Sequence, residues 1–114
     1  MPPKRNPLNL NSLQLKTLTL LQELARLAGM PAAEDEPGGL AITQLPSPHL
    51  DHFHLGEAVV AARDATGLRN PSVWAALERK GLIRPKLPEA VILTPLGQQY
   101  ETGMRGAILH RASH

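Results

Sequence analysis

Residues 75–97 constrain the fold more than any other stretch of this chain. They read Ala-Ala-Leu-Glu-Arg-Lys-Gly, then Leu-Ile-Arg, then Pro-Lys-Leu-Pro-Glu, then Ala-Val-Ile-Leu, and finally Thr-Pro-Leu-Gly. A helical pattern stops on Gly81, as helices do where the chain must turn left-handed without a Cβ clash. An apolar strand begins at once. Two apolar runs, 82–84 and 90–93, flank a turn carrying prolines, which predicts an antiparallel hairpin. Thr94-Pro95 then predicts a new helix. Threonine caps the first amides, and proline suits the first helical position because its missing N–H would have had no partner there.

The rest of the chain extends this pattern. Asn11 or Ser12 caps a helix running to about residue 28, and Gly29 stops it. Leu13, Leu20, Leu21, Leu24, Leu27 and Ala28 share one face of it. Leu15 and Leu18 lie off that stripe, which predicts two neighbours, the domain core and a second subunit. Residues 29–39 form an acidic loop rich in proline and glycine. Residues 40–45 read as a strand and 53–55 as its partner, a β-hairpin separated by a turn rich in breakers. Residues 57–66 carry Ala58, Val59, Ala62 and Ala65 at helical spacing, and Gly67 ends that segment. Asn70-Pro71 repeats the cap-plus-proline signal and opens a helix reaching Lys80. After Thr94 the last helix presents Leu96, Tyr100, Met104, Ala107, Ile108 and Arg111, weakened by Gly97, Gly103 and Gly106. Residues 1–10, with three prolines, form a flexible arm, and 11–114 form a single domain.

The predicted class is α+β, mostly helical, with a β-hairpin inserted between the first and second helices and a C-terminal helix. Hydrophobic residues make up 42% of the 114, enough for one globular core. Phe53, Trp74 and Tyr100 are the only aromatic side chains, so the core is aliphatic and platforms for stacking single-stranded nucleic acid are scarce. The absence of cysteine excludes disulfides, thiol catalysis and thiolate-bound metals. No apolar run follows Lys4-Arg5, and the leucines after it are interrupted by Asn9, Asn11, Gln14 and Lys16. This predicts no signal peptide and no membrane span, hence a cytoplasmic protein.

The middle of the chain resembles the winged helix-turn-helix domains of bacterial regulators of the MarR and PadR type. The resemblance is carried by Ala65-Thr-Gly-Leu at the inter-helix turn, by Leu77-Glu-Arg-Lys-Gly-Leu-Ile-Arg, and by Leu93-Thr-Pro-Leu-Gly after the hairpin, and it covers about half the chain. It implies a helix-turn-helix over residues 57–80 with the following hairpin as the wing. It also implies duplex DNA as partner, with a transcriptional role, and the helix after Asn70 as the reading helix. The two terminal helices, with Leu15 and Leu18 off the main stripe, predict a homodimer through those helices. Val73, Trp74 and Leu77 are expected to pack inward, leaving Ser72, Ala75, Ala76 and Arg79 outward. Base readers normally use Arg, Lys, Asn or Gln, so two alanines make a poor reader. Phosphate gripping is better served. Residues 63–86 hold six cations (Arg63, Arg69, Arg79, Lys80, Arg84 and Lys86) against Asp64 and Glu78, a surplus of four, while the whole chain carries only +2. A neutral, alanine-bearing helix with Trp74 beside it equally suits a protein-protein contact, and that reading stands as the alternative.

His49, Asp51, His52 and His54 fall within six residues. If Phe53 faces the core, His52 and His54 share the outer face of a strand, where two imidazoles can hold one divalent metal, with His49 or Asp51 as a further ligand. A regulator responsive to metal or pH would join this cluster to the DNA reading. The competing reading gives Asp51 to the turn and the histidines to solvent. No phosphate loop, nucleophile elbow, paired carboxylates or metalloprotease motif is found, so no catalytic residue is assigned and no enzyme is expected.

Overall fold

Asn11 opens the first helix through a reciprocal capping box. Its side-chain oxygen accepts from the Gln14 N–H at 2.8 Å, and Gln14 Oε1 accepts from the Asn11 N–H at 3.0 Å. Two donors that a helix start leaves unpaired are thereby satisfied. In the computed structural model this helix, α1, spans Ser12–Ala28, and the structure describes residues 6–32, 34, 36–46, 51–86 and 90–111. Leu18, Leu20 and Leu21 are fully buried, and Leu13 and Leu15 pack against the core. The expected stripe is therefore displaced: Leu27 and Ala28 are exposed. Leu15 and Leu18 are covered by this chain's own elements, which removes the argument that they face a second subunit.

Two antiparallel sheets pack around α1. Strands β1 (Met30–Pro31), β2 (Leu40–Ile42), β5 (Ile83–Lys86) and β6 (Ala90–Leu93) form one sheet in the order β1-β2-β6-β5. The predicted hairpin of residues 82–93 is present, with Ile83 opposite Leu93 and Lys86 opposite Ala90. The other sheet has the order β3-β4-β7, from β3 (His52–Leu55), β4 (Ala58–Ala61) and β7 (His110–Arg111). The chain is thus α+β, as expected.

The expected pairing of 40–45 with 53–55 does not form. β2 joins β6, with Ala41 opposite Ile92, and β3 pairs instead with β4, Phe53 opposite Val60. The cause is local. Gly56, at φ 57°, takes the first position of the two-residue turn Gly56-Glu57, where hairpin turns need positive φ. That turn replaces the helix expected over 57–66. Val59 and Val60 continue as strand, which suits β-branched side chains, and Val60 is fully buried. Only from Ala62 does the chain coil, as a 3-10 helix over Ala62–Arg69. It lies so close to α1 that a Cβ on Gly67 would stand 1.9 Å from Thr17 Oγ1.

Asn70 caps helix α2 (Pro71–Arg79), accepting from the Ser72 N–H at 2.9 Å, with Pro71 at the first position. Thr94 likewise caps α3 (Pro95–Gln99) by accepting from the Gly97 N–H at 3.0 Å. The continuous last helix does not follow. Tyr100 is extended, Gly103 sits at φ 69°, and a short α4 (Arg105–Ile108) precedes β7. Gly97 is also required by packing, since a Cβ there would come within 2.2 Å of the Leu82 carbonyl oxygen.

Residues 1–5 of the expected arm lie outside the described residues. Residues 6–10 are held rather than free. Asn6 bonds both the N–H and the carbonyl of Leu10, Tyr100 donates its hydroxyl to Asn6 Oδ1, and Leu10 is 4% exposed. Among the described residues, no helix is long and apolar enough to cross a membrane.

Candidate interaction face

Helix α2 buries Val73, Trp74, Ala76 and Leu77 and exposes Pro71, Ser72, Ala75, Glu78 and Arg79. Val73 and Leu77 go inward as expected. Ala76 does too, against expectation, because it follows Val73 by three positions and shares its side of the helix. Trp74 is fixed by donating its indole N–H to the Leu68 carbonyl at 2.9 Å, which ties α2 to the 3-10 helix. The outward face is thus centred on Ala75, with Glu78 one turn along. Beside it runs a groove of about 370 Å³, lined by Leu45, Leu68, Arg69, Pro71, Trp74, Ala75 and Glu78. Its walls are mostly hydrocarbon, and Arg69 and Glu78 put one charge of each sign at its edge.

The cations expected to grip phosphate are not equally available. Arg63, on the 3-10 helix, and Arg79, on α2, are exposed. Arg69 and Ser72 are exposed at either side of the Asn70 cap. Lys80 turns back to donate to the Leu8 carbonyl at 2.7 Å. Arg84 Nε lies 3.1 Å from Glu36 Oε2, and Lys86 Nζ lies 4.0 Å from Glu36 Oε1. Glu36 therefore lies against the β5–β6 hairpin and offsets its charge. It is placed there by the β1–β2 ladder and by the Gly39 N–H, which donates to the Glu36 carbonyl at 3.1 Å. The sequence carries a signal for Glu36 only as one member of an acidic run far from a basic hairpin, and the sheet brings the two together. Asp64, the carboxylate beside Arg63, is nearly buried and paired with Lys16 at 2.9 Å.

The histidines occupy the other sheet. β3 alternates, with Phe53 and Leu55 buried and His52 and His54 exposed. Their ring centres lie 5.7 Å apart, edge to face. Asp51 Oδ1 is 2.9 Å from His52 Nδ1. That imidazole, through the hydrogen bond, holds the Asp51 carboxyl below its ordinary range. His54, Val59 and His110 follow one another across β3, β4 and β7, so His110 lies on the same sheet face. His49 lies outside the described residues. Among the described residues, no three His, Asp or Glu side chains stand together as a metal-holding set.

On α1, Glu23 is 3% exposed. It accepts from Arg26, and from Arg105 Nη1 at 2.8 Å. The hydrogen bonds from Arg26 hold its pKa down against the opposing effect of burial, with further help from Arg105. This clamp ties α4 to α1 and is structural. Comparison of the chain with protein-family models, curated proteins and solved structures returns no match.

Proposed function

We propose that this chain is a winged-helix interaction module that binds a partner protein through the outward face of α2. The winged-helix part of the reading is supported by connectivity. A strand following the first helix, β2, joins the β5–β6 hairpin at β6, and α2 leads directly into that hairpin. The resemblance of residues 65–97 implies the step from α2 into the hairpin, whereas β4 and the 3-10 helix stand where a helix over 57–66 was expected.

The single observation that carries the function is the apolar groove along α2, centred on Ala75 and Trp74. A base-reading helix needs side chains with bidentate reach on that face. This one offers Pro71, Ser72, Ala75 and Glu78 along most of its length, with Arg79 at its C-terminal end as the one side chain of bidentate reach. Phosphate contact is weakened as well, because Glu36 engages Arg84 and Lys86 while Leu8 engages Lys80. An apolar centre with a thin charged rim suits a protein contact.

Duplex DNA is the competing partner, favoured by exposed Arg63 and Arg79. Titration of random duplex across a salt series separates the two. The proposal expects no saturation below about 10 µM at roughly 100 mM salt. Tight, salt-steep binding that Arg63→Ala and Arg79→Ala each weaken would restore DNA as the partner. A photo-crosslinking side chain at position 75 should give a discrete protein adduct in cells. The same probe at exposed Thr66 or Glu101 should give none.

A further inference from the structure

We infer that the outer face of β3 is a binding site for a divalent transition-metal ion, chelated by His52 and His54 with Asp51 as a positioning residue. The site is independent of the α2 face and needs no assumption about it.

The strand supplies the first requirement. Alternation fixes Phe53 and Leu55 in the core and so sends both imidazoles to one side. Spacing supplies the second. Each nitrogen sits about 2.0–2.1 Å from zinc and the ring centre roughly 1.2 Å further, so two rings on one tetrahedral ion have centres about 5.2 Å apart. The observed 5.7 Å is within half an ångström of that. His54 is exposed, so it can turn toward an ion on His52 without breaking a core contact while His52 keeps its bond to Asp51.

Asp51 supplies the third. Its carboxylate can only accept, so the His52 nitrogen facing it at 2.9 Å, Nδ1, carries the proton. The lone pair is then on Nε2, directed away from Asp51. A carboxylate behind a metal-bound imidazole is the usual orienting arrangement, and it raises the ring's basicity as a ligand. A neutral imidazole pair selects zinc, nickel or copper(II) over magnesium and calcium, which prefer oxygen ligands. Water fills the remaining positions on the ion.

The test uses the full untagged chain with zinc chloride, followed by calorimetry and by imidazole nitrogen NMR. One zinc per chain is expected to bind saturably, moving the Nε2 signals of His52 and His54 together. His52→Ala and His54→Ala should each weaken binding at least tenfold. Asp51→Asn, which keeps both ligands, should weaken it by about tenfold. Because all three side chains are exposed, none of these changes should move the unfolding midpoint without metal. A double His52→Ala/His54→Ala variant that binds zinc as tightly as the native chain would overturn the site. So would imidazole signals that stay in place at saturation, or equal shifts produced by magnesium. An Asp51→Asn variant with unchanged affinity would overturn the positioning role.

Discussion

At Gly67 the absence of one carbon lets the 3-10 helix lie against α1. Alanine there would place its Cβ 1.9 Å from Thr17 Oγ1, and overpacking of this kind costs about 1–3 kcal/mol. Gly67→Ala should lower the urea midpoint accordingly, and the penalty should shrink in a Thr17→Ala background, where the clashing oxygen is gone. Glu23 acts through charge. Its pKa is lowered from the ordinary 4.5, so its contribution to stability is full above that value. The contribution is lost as pH falls through the depressed folded pKa. Glu23→Gln should cost about 1.5–3 kcal/mol at neutral pH, the scale of hydrogen bonds to a charged group. Its stability should also fall less than the native chain's as pH drops below 4.5, which urea unfolding at a series of pH values would measure. Neither role was legible in the sequence. Gly67 reads as a helix stop and Glu23 carries no local signal, because Thr17 and Arg105 are brought to them only by packing.

Helix starts were legible because a cap is a local device. Asn11, Asn70 and Thr94 each bond an amide two or three residues ahead, and no tertiary contact is needed to specify that. Residues 57–66 were misread because alanines and valines fit both periods, and Gly56-Glu57 was the signal that separates them. Gly56→Ala tests the observed turn. With φ 57° and Leu27 Cδ2 only 3.0 Å from the added carbon, it should destabilise by about 1–2 kcal/mol. At Gly103 the sign of the substitution separates the expected structure from the observed one. A continuous last helix would gain about 1 kcal/mol, whereas the left-handed backbone at φ 69° should lose about as much. Thermal or urea unfolding of the two variants reads both signs.

Across the whole molecule, the surface charge differs from what a count of cations suggests. The basic surplus of residues 63–86 is partly offset by Glu36, from a loop some fifty residues earlier. The Glu36 side chain is half-buried between two exposed cations, so removing that carboxylate should cost about 1.5 kcal/mol. Its removal should strengthen low-salt binding to duplex DNA and steepen the salt dependence by up to about one unit, for Arg84. Filter binding or fluorescence anisotropy of Glu36→Gln beside the native chain measures this. An unchanged salt slope would show that Arg84 does not reach phosphate.

Signals of short range specify α1 and its cap, α2 with Asn70-Pro71, the β5–β6 hairpin, and the alternation that puts His52 and His54 on one side of β3. Packing settles that β2 joins β6, that Phe53 pairs with Val60, that Leu18 is covered and Leu15 half-covered within one chain, and that Glu36 meets the β5–β6 hairpin. The physical reason lies in what each choice depends on. Caps and turns are settled by backbone geometry and hydrogen bonds within a few residues. Strand partners and ion pairs are settled by which surfaces the folded chain brings together, and several pairings would satisfy the same local pattern equally well.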